Sequence, residues 1–101
     1  MIRRGHGLKR VVAAQLDLFV EEHGELLEDC ERALAAYNGA PREEAEGRYG
    51  DYLDLVETGN ELLADMRDHY AASLDEGAAA DYERLFARAV ARRLPRFSVS
   101  T

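Results

Sequence analysis

The sequence predicts an all-α fold, namely an up-down-up three-helix bundle in which two long helices form an antiparallel hairpin and a shorter third helix packs beside them. Alanine, leucine, glutamate and arginine dominate the composition, and these are helix-forming residues. Apolar residues recur at alternating spacings of three and four, as on one face of a helix. No useful stretch alternates apolar and polar residues as a half-buried strand does. At 101 residues, the chain is expected to form a single helical domain, 1–101.

The first predicted helix runs from about Leu8 to Tyr37, and its apolar seam has the spacing of a helix packed along its length against another. It ends at Gly39, because glycine suits the position after a helix, and Pro41 suits the first turn of the next helix. The seam consists of Val12, Leu16, Phe19, His23, Leu26, Cys30, Ala33 and Tyr37.

The second predicted helix follows Pro41 and keeps the same spacing from Ala45 to Tyr70. Gly59 lies within this seam, although glycine inside a helix costs about 1 kcal/mol relative to alanine. Because the spacing passes through Gly59 without a change of phase, we predict a continuous helix with a notch there; a kink at the glycine is the alternative. Folding the hairpin at Gly39 predicts that Phe19 or the ring of His23 fills the notch.

The third predicted helix runs from about Ala78 to Leu94 and ends before Pro95. Residues 1–7 and 96–101 are expected to be flexible tails.

Charge and cysteine content narrow the classes of partner and compartment. The net charge is −7, which argues against general binding to nucleic acid or to anionic membranes. No apolar run reaches the ~18 residues of a membrane span. The single cysteine, Cys30, cannot form an intramolecular disulfide and is expected to be a buried apolar residue, so a cytoplasmic location is predicted. No cofactor is expected.

The lengths of the helices predict a homodimer. The long helices would be roughly 45 and 51 Å long and the third only about 25 Å, so half of the hairpin would lack a covering helix. Apolar residues continue through that half, and a bare two-helix ribbon of this kind should not remain in water. A second copy would cover it by completing a four-helix bundle. The candidate interface residues are Leu27, Leu34, Tyr37, Tyr49, Tyr52, Leu53 and Leu55.

The leading functional hypothesis is therefore a non-enzymatic interaction or regulatory module that acts as a homodimer. Binding of a further protein partner is left open. A second hypothesis is a metal- or ligand-binding bundle, with or without enzymatic activity, that uses His23 or His69 with nearby carboxylates. The segment "HGLKR", residues 6–10, resembles the phospho-accepting histidine segment of phosphorelay bundles, which would make His6 a phosphoacceptor. An arginine stripe on the third helix is expected to pair with acidic rows such as Glu57, Glu61, Asp65 and Asp68, and the alternative is a docking surface for an acidic partner or for nucleic acid. The members of the stripe are Arg84, Arg88, Arg92 and Arg96.

Overall fold

The computed structural model describes residues 4–100, together with the side chains of residues 7–100. This part of the chain contains four α-helices and no strand: α1 (Arg4–Glu22), α2 (Gly24–Asn38), α3 (Arg42–Ala71) and α4 (Glu76–Arg93). The all-α prediction is confirmed. The three-helix prediction is not confirmed, because the first predicted helix is divided into α1 and α2.

The division falls at one residue, His23, whose φ of −114° and ψ of 31° depart from helical values. His23 still makes helical hydrogen bonds on both sides of this break. Its amide donates to the Phe19 carbonyl at 2.9 Å, and its carbonyl accepts from the Leu27 amide at 3.1 Å. Gly24 follows directly, and glycine weakens helix formation most among residues other than proline. The backbone of α1 also begins at Arg4, inside the predicted flexible tail 1–7.

The helices α2 and α3 form the hairpin, while α4 packs between α1 and the C-terminal half of α3. The hydroxyl of Tyr82 on α4 donates to Gln15 on α1 at 2.7 Å, and the Tyr70 and Tyr82 rings join α3 to α4 with their centroids 4.8 Å apart. Asp75 caps α4 by accepting a hydrogen bond from the Ala78 amide at 2.8 Å. The fully buried side chains of the core are Leu16, Phe19, Cys30, Leu63, Tyr82, Phe86 and Val90.

Residues 94–100, which we call the C-terminal strap, fold back across α3. Phe97 is only 3% exposed, the Ser98 amide donates to the Asn60 side chain at 2.9 Å, and Arg67 donates to the Ser100 carbonyl. The structure therefore packs 96–100 against the hairpin, where the sequence analysis assigns a flexible tail. Burial of the Phe97 ring accounts for the difference, because it favours a fixed position for the segment.

Gly59 lies within the unbroken α3, so the prediction of a continuous helix is confirmed. The prediction that Phe19 or His23 fills the notch is wrong, because Phe97 occupies it. A Cβ atom placed on Gly59 would lie 2.7 Å from both Cδ1 and Cζ of the Phe97 ring. Phe19 lies behind Phe97, in an edge-to-face contact with ring centroids 6.2 Å apart.

The molecule is a rod with principal extents of 59 × 21 × 18 Å. Its radius of gyration is 16.1 Å, whereas a compact domain of this length has a radius of about 13 Å. The excess arises because the hairpin extends beyond the end of α4. Among the described residues, no helix combines the length and apolar character needed to cross a membrane.

Candidate interaction surface

The hairpin beyond the end of α4, residues 31–57, is called the arm here. It contains the C-terminal half of α2, the turn and the N-terminal half of α3. Because α4 ends at Arg93 and the strap crosses α3 at Gly59 and Asn60, the arm is only two helices thick. This confirms the predicted mismatch between a long hairpin and a short last helix.

Aromatic and aliphatic side chains line the arm. The Tyr37 and Tyr49 rings are 4.9 Å apart between centroids, and those of Tyr49 and Tyr52 are 6.1 Å apart, so three rings form a row across the hairpin. Tyr49 is 41% exposed and Leu53 is 45% exposed, while Leu34 is half-buried. The arm therefore presents an apolar surface that no element within residues 4–100 covers.

The other predicted interface residues lie deeper. Leu55 and Tyr52 are half-buried against the core, and Leu27 lines a cavity of about 390 Å³ at the end of α4. Arg96 of the strap partly covers Tyr52: its guanidinium carbon lies 5.7 Å from the ring centroid, and its Nε donates to the hydroxyl at 3.1 Å. The structure thus places Leu34, Tyr37, Tyr49, Tyr52, Leu53 and Leu55 on the arm, whereas Leu27 lies outside it.

Carboxylates border the apolar surface of the arm. Residues 31–57 contain seven acidic and three basic side chains, a net charge of −4. On the outer face of α3, Tyr49 and Leu53 lie between Glu46 and Glu57 at spacings of three, four and four residues, which place all four on one side of the helix. The arm therefore combines apolar anchors with negative charge.

At the other end of the rod, α1 and α4 enclose an open groove of about 260 Å³. Five apolar residues line it: Val12, Leu16 and Ala89 are buried, Leu85 is half-buried and Ala13 is exposed. Four cationic side chains complete the lining: Lys9, Arg88, Arg92 and Arg93.

Only one of these cations is neutralised by the described part of the chain. Arg93 bonds to Asp17 at 2.6 Å and donates to the Ala13 carbonyl at 3.4 Å. Within residues 7–100, the side chains of Lys9, Arg88 and Arg92 have no hydrogen-bond or ion-pair partner. The sequence analysis did not predict a groove with α1, although the four-residue spacing of the arginines gave the docking surface that it kept as the alternative.

The arginine stripe does not pair as predicted. Arg84 pairs with Asp81 on its own helix, and Arg96 pairs with Glu31 on α2 at 2.7 Å. The predicted pairing with the acidic row of α3 is therefore wrong, because the groove side of α4 faces α1 rather than that row.

Cys30 is fully buried and free, which confirms its prediction as a buried apolar residue. Burial raises the pKa of the Cys30 thiol, although Arg96 nearby opposes the shift. Burial of Arg96 acts to lower the pKa of its guanidinium, but hydrogen bonds to Glu31 and Tyr52 outweigh this and raise it. The thiol is therefore held in its protonated, unreactive form.

The histidines do not form a common site. The half-buried His23 ring packs on Phe19 with centroids 4.9 Å apart, whereas His69 is exposed at the opposite end of α3 from the arm. Among the described residues, no three histidine, cysteine, aspartate or glutamate side chains converge as a metal site. The side chain of His6, the phosphoacceptor alternative, lies outside the described part of the structure.

Comparison of the chain with protein-family models, with curated proteins and with solved structures gives no match.

Proposed function

We propose that this protein is a non-enzymatic helical interaction or regulatory module that acts as a homodimer through the arm. The observation that supports the proposal is the pair of exposed residues Tyr49 and Leu53, at 41% and 45% exposure, on a hairpin without a third layer. Singly exposed apolar residues are ordinary on protein surfaces. Here Tyr49 contacts the half-buried Tyr37. The half-buried Leu34 lies one turn before Tyr37 on α2, which extends the apolar surface.

The compartment we propose is the cytoplasm. Cys30 is the only cysteine of the chain and is buried as a free thiol, and proteins of oxidising compartments typically pair their cysteines.

The proposal is tested by a matched pair of substitutions, Leu53→Glu on the arm and Leu18→Glu on α1. Leu53 is 45% exposed and Leu18 is 46% exposed, so each change should disturb the folded monomer to the same small degree. In sedimentation equilibrium at high micromolar concentration, we expect the wild type and Leu18→Glu to be dimers and Leu53→Glu to be a monomer.

Circular dichroism of the three proteins provides the folding control, because a helical spectrum for Leu53→Glu would show that only association was lost. A folded wild-type monomer of about 11 kDa at that concentration would contradict the proposal.

A further inference from the structure

We infer that the arm of one copy docks in the cationic groove between α1 and α4 of a second copy, and that the contact is made twice in a reciprocal dimer. The inference rests on the proposed homodimer and names the surface that receives the arm. It differs from the simpler arrangement in which two arms pack on each other.

Charge distinguishes the two arrangements. Two arms in contact would bring together two surfaces of net charge −4 each, which repel. The groove has the opposite character, since Lys9, Arg88 and Arg92 surround an apolar floor without any acidic partner of their own within the described residues. In a chain with 20 acidic and 13 basic residues, this groove is a local excess of positive charge that a second copy can neutralise.

The shapes are also compatible. A helix docks in a groove between two helices through apolar anchors one turn apart, and Tyr49 and Leu53 are such a pair on the exposed side of α3. Glu46 and Glu57 lie beyond the two ends of that pair, where they can meet cations of the groove. The exposed Ala13 and the half-buried Leu85 supply accessible apolar surface for the anchors.

The groove is connected to the arm through the cavity at the end of α4. Arg93 lines both the groove and the cavity at the end of α4, and Arg96 lines that cavity and also lies over Tyr52 of the arm. Two antiparallel rods related by a twofold axis can therefore place each arm on the other's groove, which is the reciprocal pairing that such symmetry requires.

The contact area favours the reciprocal arrangement. The arm is about 24 Å long on α3 and about 12 Å long on α2, and each helix is about 10 Å wide, so its footprint is about 360 Å². A standard interface buries about 800 Å² per partner. When two arms pack on each other, each chain buries only the surface of its arm. The reciprocal dimer uses the arm and the groove of each chain, which brings the contact to the standard size.

The test combines salt with a matched pair of charge reversals, read by sedimentation equilibrium. From about 0.1 M to about 1 M sodium chloride, the Debye length falls from about 10 Å to about 3 Å, so a dimer of complementary surfaces should weaken by about tenfold. At the lower salt concentration, Arg88→Glu should weaken the dimer by at least about tenfold. Arg84→Glu should leave it unchanged, because Arg84 lies one turn away on α4, outside the groove, and pairs with Asp81.

A complementary reversal identifies the facing surface. Glu57→Arg alone should weaken self-association, because it places a cation of the arm against the cations of the groove, which repel it. When it is mixed with Arg88→Glu, one arm–groove contact of the heterodimer carries both reversals and the other carries neither. The mixture should therefore form dimers more strongly than either variant alone.

The outcomes separate this inference from the proposed function. A dimer that strengthens with salt and is insensitive to Arg88→Glu would overturn the groove contact and favour arm-on-arm packing, while the proposed homodimer would survive. A wild-type monomer in all salt concentrations would overturn both. Open-ended polymers instead of a closed dimer would overturn the reciprocal arrangement.

Discussion

Gly59 and Phe97 act as a unit, because the phenyl ring occupies the space that a side chain at position 59 would need. Asn60 adds a hydrogen bond to the Ser98 amide one residue further along each segment. The pair Gly59–Asn60 therefore forms the seat of the C-terminal strap, which is the reason that a glycine interrupts the apolar seam of α3 without interrupting the helix.

We predict that the effect of Gly59→Ala on stability changes sign with the residue at position 97. In the wild type, alanine must displace a ring whose burial is worth about 1.5–3 kcal/mol, while the helix gains about 1 kcal/mol. The net effect should be destabilisation by about 0.5–2 kcal/mol. In the Phe97→Ala background only the helix gain remains, so the same change should stabilise. Urea unfolding of the four proteins measures both effects.

Gly47 of the same helix provides the control. Nothing lies within 4 Å of a Cβ atom placed there, so Gly47→Ala should stabilise by about 1 kcal/mol with or without Phe97. An equal effect of Gly59→Ala in both backgrounds would show that the ring of Phe97 does not occupy the notch.

We predict that the protein loses stability in alkali, because the buried hydroxyl of Tyr82 ionises there. Burial raises the pKa of its hydroxyl from 10.0 to about 12, against the opposing hydrogen bond to Gln15. Because the pKa is higher in the folded state, the folded protein holds this proton more tightly than the unfolded chain does. The contribution to stability is complete below pH 10 and is lost as the pH rises from about 10 to about 12, by about 2–3 kcal/mol.

The variant Tyr82→Phe lacks this titration. At pH 8 it should be less stable than the wild type by about 1 kcal/mol, because the hydrogen bond to Gln15 is absent. Between pH 8 and about pH 11.5 it should lose less stability than the wild type does, as measured by urea unfolding at each pH. Parallel curves for the two proteins would refute the assignment.

At the scale of helices, the sequence predicted that the elements are helical and in which order they follow. It predicted less well where each helix begins and ends. The three-and-four spacing continues through both Gly59 and Gly24, so it could not show that the helix is continuous at Gly59 and broken at His23. The difference depends on tertiary contacts: the Phe97 ring packs on Gly59, whereas no atom lies within 4 Å of a Cβ atom placed on Gly24. Periodicity reports the direction that side chains face, and a single-residue break leaves that direction almost unchanged.

The C-terminal strap was not predictable from local pattern. Pro95 correctly marks the end of α4, but the short segment after it has no periodicity from which burial could be read. Its position depends on contacts distant in sequence, such as those of Phe97 with Gly59 and of Arg96 with Glu31. The same limit applies to the cationic groove, since the pairing of α1 with α4 determines which arginines face acids.

On the scale of the whole molecule, the rod has an acidic, apolar arm at one end and a cationic groove at the other. The strap lies between them and ties the hairpin to α4 through Phe97 and Arg96. Opposite charges are therefore separated along a 59 Å rod. Such a molecule has complementary surfaces for a second copy placed beside it in the opposite direction.

The length of the dimer follows from this arrangement. If each arm docks in the groove of the other copy, the rods overlap almost completely, and the dimer should be little longer than the 59 Å monomer. If the arms pack only on each other, the rods overlap by about 25 Å and the dimer should be roughly 90 Å long. Small-angle X-ray scattering of the wild type, with the Leu53→Glu variant as the monomer reference, measures this maximum dimension. We expect the wild type to have a larger mass and cross-section than the reference and nearly the same length, because lateral pairing thickens a rod without extending it. A maximum dimension near 90 Å would instead place the arms against each other.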